Sequence, residues 1–314
     1  MWIALFIAAR VYSNEYPHLH WITTAAFPAF VVEVTFYLAT MFESTRNAFA
    51  RIASRRTQAA LIWISGLLPY LVFSLAAGTF ARNAFYLLAI LTVIFSFWYA
   101  ILPRRFAYDV GFLVVAAAPI LLHVFPRIYI SPDAHLRIDV LGHLMWIRAG
   151  VLALLVLREW DAGAFSLWPD MAEWRSGFTW FAVFVLPIAA LALVLHDVRF
   201  DPLAGPWWRT LGIAVGTFLG VLWVVALAEE LFFRGVIERA FLNTWRQPVA
   251  AILLSALIFG AVHLWFHEFP NWRRACVAGL LGVGCGIAYW RSGSVRAPMV
   301  THAFVVTTWR VFFK

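Results

Sequence analysis

WWRTLGIAVGTFLGVLWVVALAEELFFRG, residues 207–235, decides how the chain must be read. From Trp207 to Ala228 the run carries one charge, Arg209, and it then meets Glu229, Glu230 and Arg234. About 20 apolar residues, rising 1.5 Å each, are what a helix needs to cross the hydrocarbon core of a bilayer. A charge at such depth costs roughly 2.5–3.5 kcal/mol on insertion scales, and ionisable groups that persist there pair and serve function. The stretch therefore predicts a spanning helix over 207–229 with candidate chemistry at its end.

The rest of the chain agrees with that reading. Of 314 residues, 63% are hydrophobic and 13% are Asp, Glu, Lys or Arg, where globular chains hold about 45–50% and about 25%. A soluble core has no use for so much apolar surface, so the expected class is an all-α, polytopic transmembrane helical bundle. Candidate spans are 21–42, 60–80, 83–102, 108–126, 138–157, 178–196, 207–229, 248–267, 272–290 and 295–312; allowing for fused or re-entrant segments, eight to ten cross. The 17 Trp residues suit the headgroup level. With no basic, base-stacking loop in sight, the net charge of +8 points to anionic lipid and away from nucleic acid. Met1–Ala9 lacks the basic start and cleavage site of a removable signal peptide. The most basic connections hold Arg46, Arg51, Arg55 and Arg56, and Arg234, Arg239 and Arg246. Both fall on one side if ten spans hold, which the positive-inside rule makes cytoplasmic. Residues 1–200 are expected to form helices of unassigned role, and 201–314 a helical core that carries the candidate chemistry.

Glu230 and Arg234 stand at i,i+4, where helical side chains meet, so they form an ion pair. Glu229 lies about 100° around the helix and faces another neighbour. Two carboxylates so close do not both ionise cheaply in a low-dielectric site, so with Arg234 holding Glu230, Glu229 is the carboxyl free to act as a general base. His263 near the end of the next apolar run and His302 in the last one add two further proton-handling groups. Three helices delivering such groups to one place make a water-activating site.

In this third of the chain the sequence resembles the CAAX prenyl endopeptidases and the related bacterial membrane proteases grouped as CPBP, for CAAX proteases and bacteriocin processing. That family's pattern is Glu-Glu-x-x-x-Arg, then Phe-x-x-x-His, then His-x-x-x-Asn or Asp. The matching residues are Glu229, Glu230 and Arg234; Phe259 and His263; and His302, with Val306 in the last place. In size and spacing the chain looks most like the CAAX-protease-related proteins of exosortase-containing bacteria. The resemblance implies a glutamate-dependent membrane peptidase in a bacterial inner membrane, cutting membrane-associated or lipidated proteins or peptides toward the cytoplasmic side. It implies that Glu229 and His263 hold and activate the water, that Glu230 and Arg234 position Glu229, and that His302 stabilises the oxyanion. No cofactor is implied, and the oligomeric state is left open. Val306 departs from the pattern by removing a side-chain amide.

Other readings compete. Glu with two His is a zinc-like donor set, and His263 with His267 is an i,i+4 pair able to clamp a metal, which would make a metal-dependent membrane protease. The His-Glu-x-x-His signature fails, because Asn271 stands where the second His is required. A non-proteolytic scaffold or transporter retaining the fold is the alternative of a different class; Glu33, His143 and Arg148 also lie in apolar stretches. Arg148 has two candidate partners, Asp139 and Glu33. Cys276 and Cys285, nine residues apart on one helix, sit about 13 Å apart along the axis and cannot bridge. Gly279, Gly282 and Gly286 predict close helix packing.

Overall fold

The computed structural model describes residues 2–52, 54–131, 133, 136–266 and 268–314. Eight helices among the described residues are long and apolar enough to cross a membrane, the lower end of the expected range. The candidate span at 108–126 shortens to a helix over Phe106–Leu121, and that at 295–312 to Arg296–Phe312. At 16 and 17 residues both fall short of the ~20 that span unaided. The chain is a multi-pass, all-α membrane protein built as two compact units, Met1–Trp160 and Asp161–Lys314.

The first unit holds α1 (Trp2–Glu15), α2 (His20–Met41), α3 (Glu43–Ala50), α4 (Arg55–Ala76), α5 (Arg82–Ile101), α6 (Phe106–Leu121), α7 (Val124–Ile128) and α8 (Val140–Leu152). Its most deeply buried charges, Glu33 and Arg148, are paired in the way hydrocarbon demands. Arg148 of α8 donates from Nε to Glu33 Oε1 at 2.9 Å and from Nη2 to Glu33 Oε2 at 3.1 Å, and from Nη1 to Ser65 Oγ at 2.8 Å. The forked guanidinium thus ties α8 to α2 and α4, and Glu33, not Asp139, is its partner. Asp139 instead takes two hydrogen bonds from Arg137, both at 2.8 Å. Phe95 stacks between Phe112, at 4.6 Å, and Trp146, at 3.9 Å.

The second unit contains α9 (Met171–Val194), α10 (Trp207–Trp245), α11 (Pro248–Val262), α12 (Trp272–Ser292) and α13 (Arg296–Phe312). Local chemistry sets its helix ends. Asp170 accepts from the backbone N–H groups of Ala172 and Glu173, and Glu173 Oε2 accepts from the Asp170 N–H, a reciprocal cap that starts α9. The other oxygen of Glu173 receives Arg296 Nη2 at 2.7 Å, which pins the start of α13 to the start of α9. One turn on, Thr301 Oγ1 donates to the Gly177 carbonyl at 2.9 Å. That register places the next residue, His302, in the interior, 4% exposed.

Small residues let α11 and α12 touch backbone to backbone. A Cβ on Gly260 would stand 2.6 Å from the Ala275 carbonyl oxygen, and one on Gly282 would stand 3.0 Å from Ala256 Cα. The glycine stripe read from the sequence therefore seats α12 against the helix that carries His263. Gly260→Ala should cost about 1–3 kcal/mol, as overpacking does, because the obstructing atoms are backbone. Chemical unfolding in detergent checks this; an unchanged midpoint would mean the two helices part freely.

α10 departs most from expectation. The sequence reads residues after Glu230 as a connection, yet the helix continues unbroken to Trp245. Its turns widen to π geometry over Val221–Ala226 and again over Leu231–Glu238, on either side of an α turn at Leu227–Glu230. Such π stretches often mark functional positions. The continuation is physically reasonable because Arg234, 0% exposed, has the equally buried carboxyl groups of Glu230 and Glu238 one turn to either side of it along the helix.

Candidate active site

Four of the five expected site residues meet directly. Arg234 Nε lies 3.1 Å from Glu230 Oε2, and the other oxygen of Glu230 lies 2.8 Å from His302 Nδ1. The far nitrogen of that imidazole, Nε2, faces Glu229 Oε2 at 3.9 Å. The chain of contact therefore runs Arg234, Glu230, His302, Glu229. The two glutamates divide as helical geometry requires: the Glu230 side chain is fully buried, while that of Glu229 is 33% exposed. Glu229 thus sits at the boundary between the buried cluster and an accessible face. Its Oε2 is itself buried and takes no hydrogen bond among the described residues.

His263 joins through an aromatic neighbour. α11 ends at Val262 and tightens into a 3-10 turn at His263–Trp265, so the histidine stands at a helix end and not inside a span reaching 267. Its Nδ1 lies 2.8 Å from the Phe259 carbonyl oxygen, its polar partner among the described residues. That contact makes Nδ1 the protonated nitrogen and leaves Nε2 as the acceptor. The Phe259 ring lies between the two histidines, 4.7 Å from His263 and 5.9 Å edge-on from His302. It also lies under Arg234, whose Cζ is 5.0 Å from the ring centroid. Phe259 is therefore the common wall of the cluster.

Three residues that sequence reasoning passed over complete the surroundings. Ser255 of α11 donates to the Phe233 carbonyl at 3.0 Å, inside the π stretch, and accepts from Arg234 Nη1 at 3.4 Å. Glu238, one turn beyond Arg234, places Oε2 3.9 Å from Arg234 Nε. Its i,i+4 spacing from Arg234 was the available signal, masked because the segment reads as a polar connection. Cys285 is buried against the same groups, whereas Cys276 is exposed. The zinc-like pair of His263 with His267 cannot be placed, since His267 lies outside the described residues. Val306, one turn from His302, is only half-buried, and Thr308 returns its hydroxyl to the Phe304 carbonyl at 2.8 Å.

Residues 210–308 match the Rce1-like family, described as type II CAAX prenyl endopeptidase Rce1-like. All five residues of the cluster fall inside that stretch, so the motifs and the family match coincide on one domain. Searches of curated proteins and of solved structures gave no match to the chain.

Proposed function

We propose that the domain matched to the CAAX-type membrane proteases is a glutamate-dependent intramembrane endopeptidase that cuts membrane-associated or lipidated proteins or peptides without a metal. What carries the reading is the single His302 imidazole with a carboxylate at each nitrogen, Glu230 at 2.8 Å and Glu229 at 3.9 Å. A fixed carboxylate on one side of an imidazole sets the ring's orientation and leaves the opposite nitrogen to act on what lies beyond it.

In the hydrolytic step Glu229 takes a proton from the attacking water, with the Nε2 acceptor of His263 as second holder. Oxygen adds to the scissile carbonyl carbon, and its proton passes by way of Glu229 to the departing amine. His302, when it carries both protons, turns Nε2–H toward the carbonyl oxygen that gains charge. Glu230 and Arg234 act through His302 as positioning groups. The substrate enters from the bilayer or from the face at which Glu229 is accessible. Bacterial inner-membrane residence and a cytoplasmic-facing site are inferred from the family resemblance alone, because Arg234 and Arg239 lie within α10 and not in a connection.

At the position where the family carries Asn or Asp, Val306 supplies no donor. Loss of one preorganised oxyanion donor costs about 10²–10³ in rate elsewhere. Val306→Asn is therefore expected to raise kcat by up to about 10²-fold with little change in KM; a rate unchanged or lowered would show that the oxyanion lies away from this turn of α13. The reading as a whole is tested with purified full-length protein and a panel of membrane-anchored peptides in proteoliposomes. Cleavage of at least one peptide, unaffected by a strong chelator, is expected. Absence of cleavage across the panel by Val306→Asn as well as wild-type protein would favour the non-proteolytic scaffold or transporter.

A further inference from the structure

Glu230, Cys285 and His302 bring one carboxylate oxygen, one thiol sulfur and one imidazole nitrogen within 4.8 Å of one another, all of them buried. Oxygen, sulfur and nitrogen are the donor set of zinc, and a tetrahedral zinc with bonds of about 2.0–2.3 Å needs its donors drawn only modestly closer than this. The thiol selects against hard cations such as magnesium or calcium, which take oxygen ligands. A metal beside Arg234 would ordinarily be opposed by the guanidinium. The fold holds a second carboxylate for that cation, however. Glu238 is 0% exposed, neither of its oxygens takes a hydrogen bond among the described residues, and its Oε2 is 3.9 Å from Arg234 Nε. If Glu230 turns to a metal, Arg234 keeps a counter-ion by turning to Glu238.

We propose that Glu230, Cys285 and His302 form an inhibitory site for a thiophilic divalent cation, zinc or its analogue cadmium, with Glu238 as the reserve partner of Arg234. Binding releases the thiol proton to solvent and replaces the His302–Glu230 hydrogen bond by metal bonds, the proton on His302 Nδ1 moving to Nε2 where that nitrogen is vacant and otherwise leaving to solvent; no electron is transferred. The site stands on the placement of its donors. Its inhibitory effect rests on the peptidase reading, because dismantling the His302–Glu230 contact removes the orienting partner of the imidazole.

The test is a cadmium titration of the purified full-length Cys276→Ser protein, which removes the exposed thiol, followed by the near-ultraviolet cadmium–thiolate absorption. One saturable band per chain is expected; Cys285→Ala should abolish it. Glu238→Gln should weaken cadmium binding by about tenfold, in the range that outer partners contribute to metal sites, and His302→Ala should weaken it more. No saturable band in the Cys276→Ser protein, or a band whose affinity is indifferent to His302→Ala, would overturn the site. In cleavage assays zinc should inhibit the Cys276→Ser protein, and Cys285→Ala should need on the order of tenfold more zinc or beyond. A cadmium band of the expected behaviour in a protein that cuts no peptide would uphold the metal site and count against the peptidase reading alone.

Discussion

Glu229→Ala is expected to lower kcat for peptide cleavage by about 10²–10⁴-fold, the range that a positioned general base contributes, while leaving the unfolding midpoint within experimental scatter. The two halves of that expectation have separate origins. Glu229 is the one carboxylate of the cluster with an accessible side chain, 33% exposed, and it lies beyond the imidazole that Glu230 orients. Its removal takes away the group placed to receive a proton from water. Its structural involvement is slight: among the described residues no arginine is paired with it, and its contact within the cluster is the 3.9 Å approach to His302 Nε2. KM should hardly move, because a general base acts in the transition state and adds little to ground-state binding. Equal losses of kcat and stability would instead make Glu229 a structural residue.

Arg234→Met should have the opposite signature, a loss of stability of about 3–5 kcal/mol, as expected when one member of a buried ion pair is removed. Arg234 is fully buried, with Glu230 at 3.1 Å on one side and Glu238 at 3.9 Å on the other. Taking away the guanidinium strands two carboxylates in the interior and cuts the contact to Ser255 that links α10 to α11. Methionine fills much of the volume, so the cost is electrostatic more than steric. Adding Glu230→Gln to Arg234→Met should recover a large part of the loss, since a neutral amide needs no counter-ion. Unfolding in detergent by denaturant, followed by tryptophan fluorescence, measures both. A single variant as stable as wild type would show that the two carboxylates are protonated and need no cation.

The membrane class, most of the spans and the Glu230–Arg234 pair were legible in the sequence, because each depends on composition or on spacing within one helix. Residues brought together from different helices were legible only as types. That His302 would bond to Glu230, and not approach Glu229 alone, depends on the register fixed by Thr301 on Gly177 and by Arg296 on Glu173, which no local pattern announces. The choice of Glu33 over Asp139 for Arg148 is likewise tertiary: Asp139 is taken by the nearer Arg137. The extension of α10 to Trp245 was hidden for a different reason. Glu230, Arg234, Glu238 and Arg239 look like the charges of a loop, and only the placement of Arg234 beside Glu230 and Glu238, together with the Arg239–Asp161 ion pair at 2.5 Å, lets a helix carry them. The π stretches are invisible to any reading that assumes 3.6 residues per turn. The spacing of Cys276 and Cys285 speaks only to disulfide geometry, and no local pattern announces the place of Cys285 beside the carboxylate and the imidazole.

The central claim, that Glu229 activates water in a cluster needing no metal, is tested most directly by one paired assay. Metal-stripped wild-type protein and Glu229→Ala are reconstituted side by side, and the initial rate on the best-cut membrane-anchored peptide is measured in chelator. The account predicts an undiminished rate for the stripped wild type and a rate lower by at least about 10²-fold for Glu229→Ala. A stripped wild type that is inactive until zinc is returned, or a Glu229→Ala protein that cuts as fast as wild type, would contradict it.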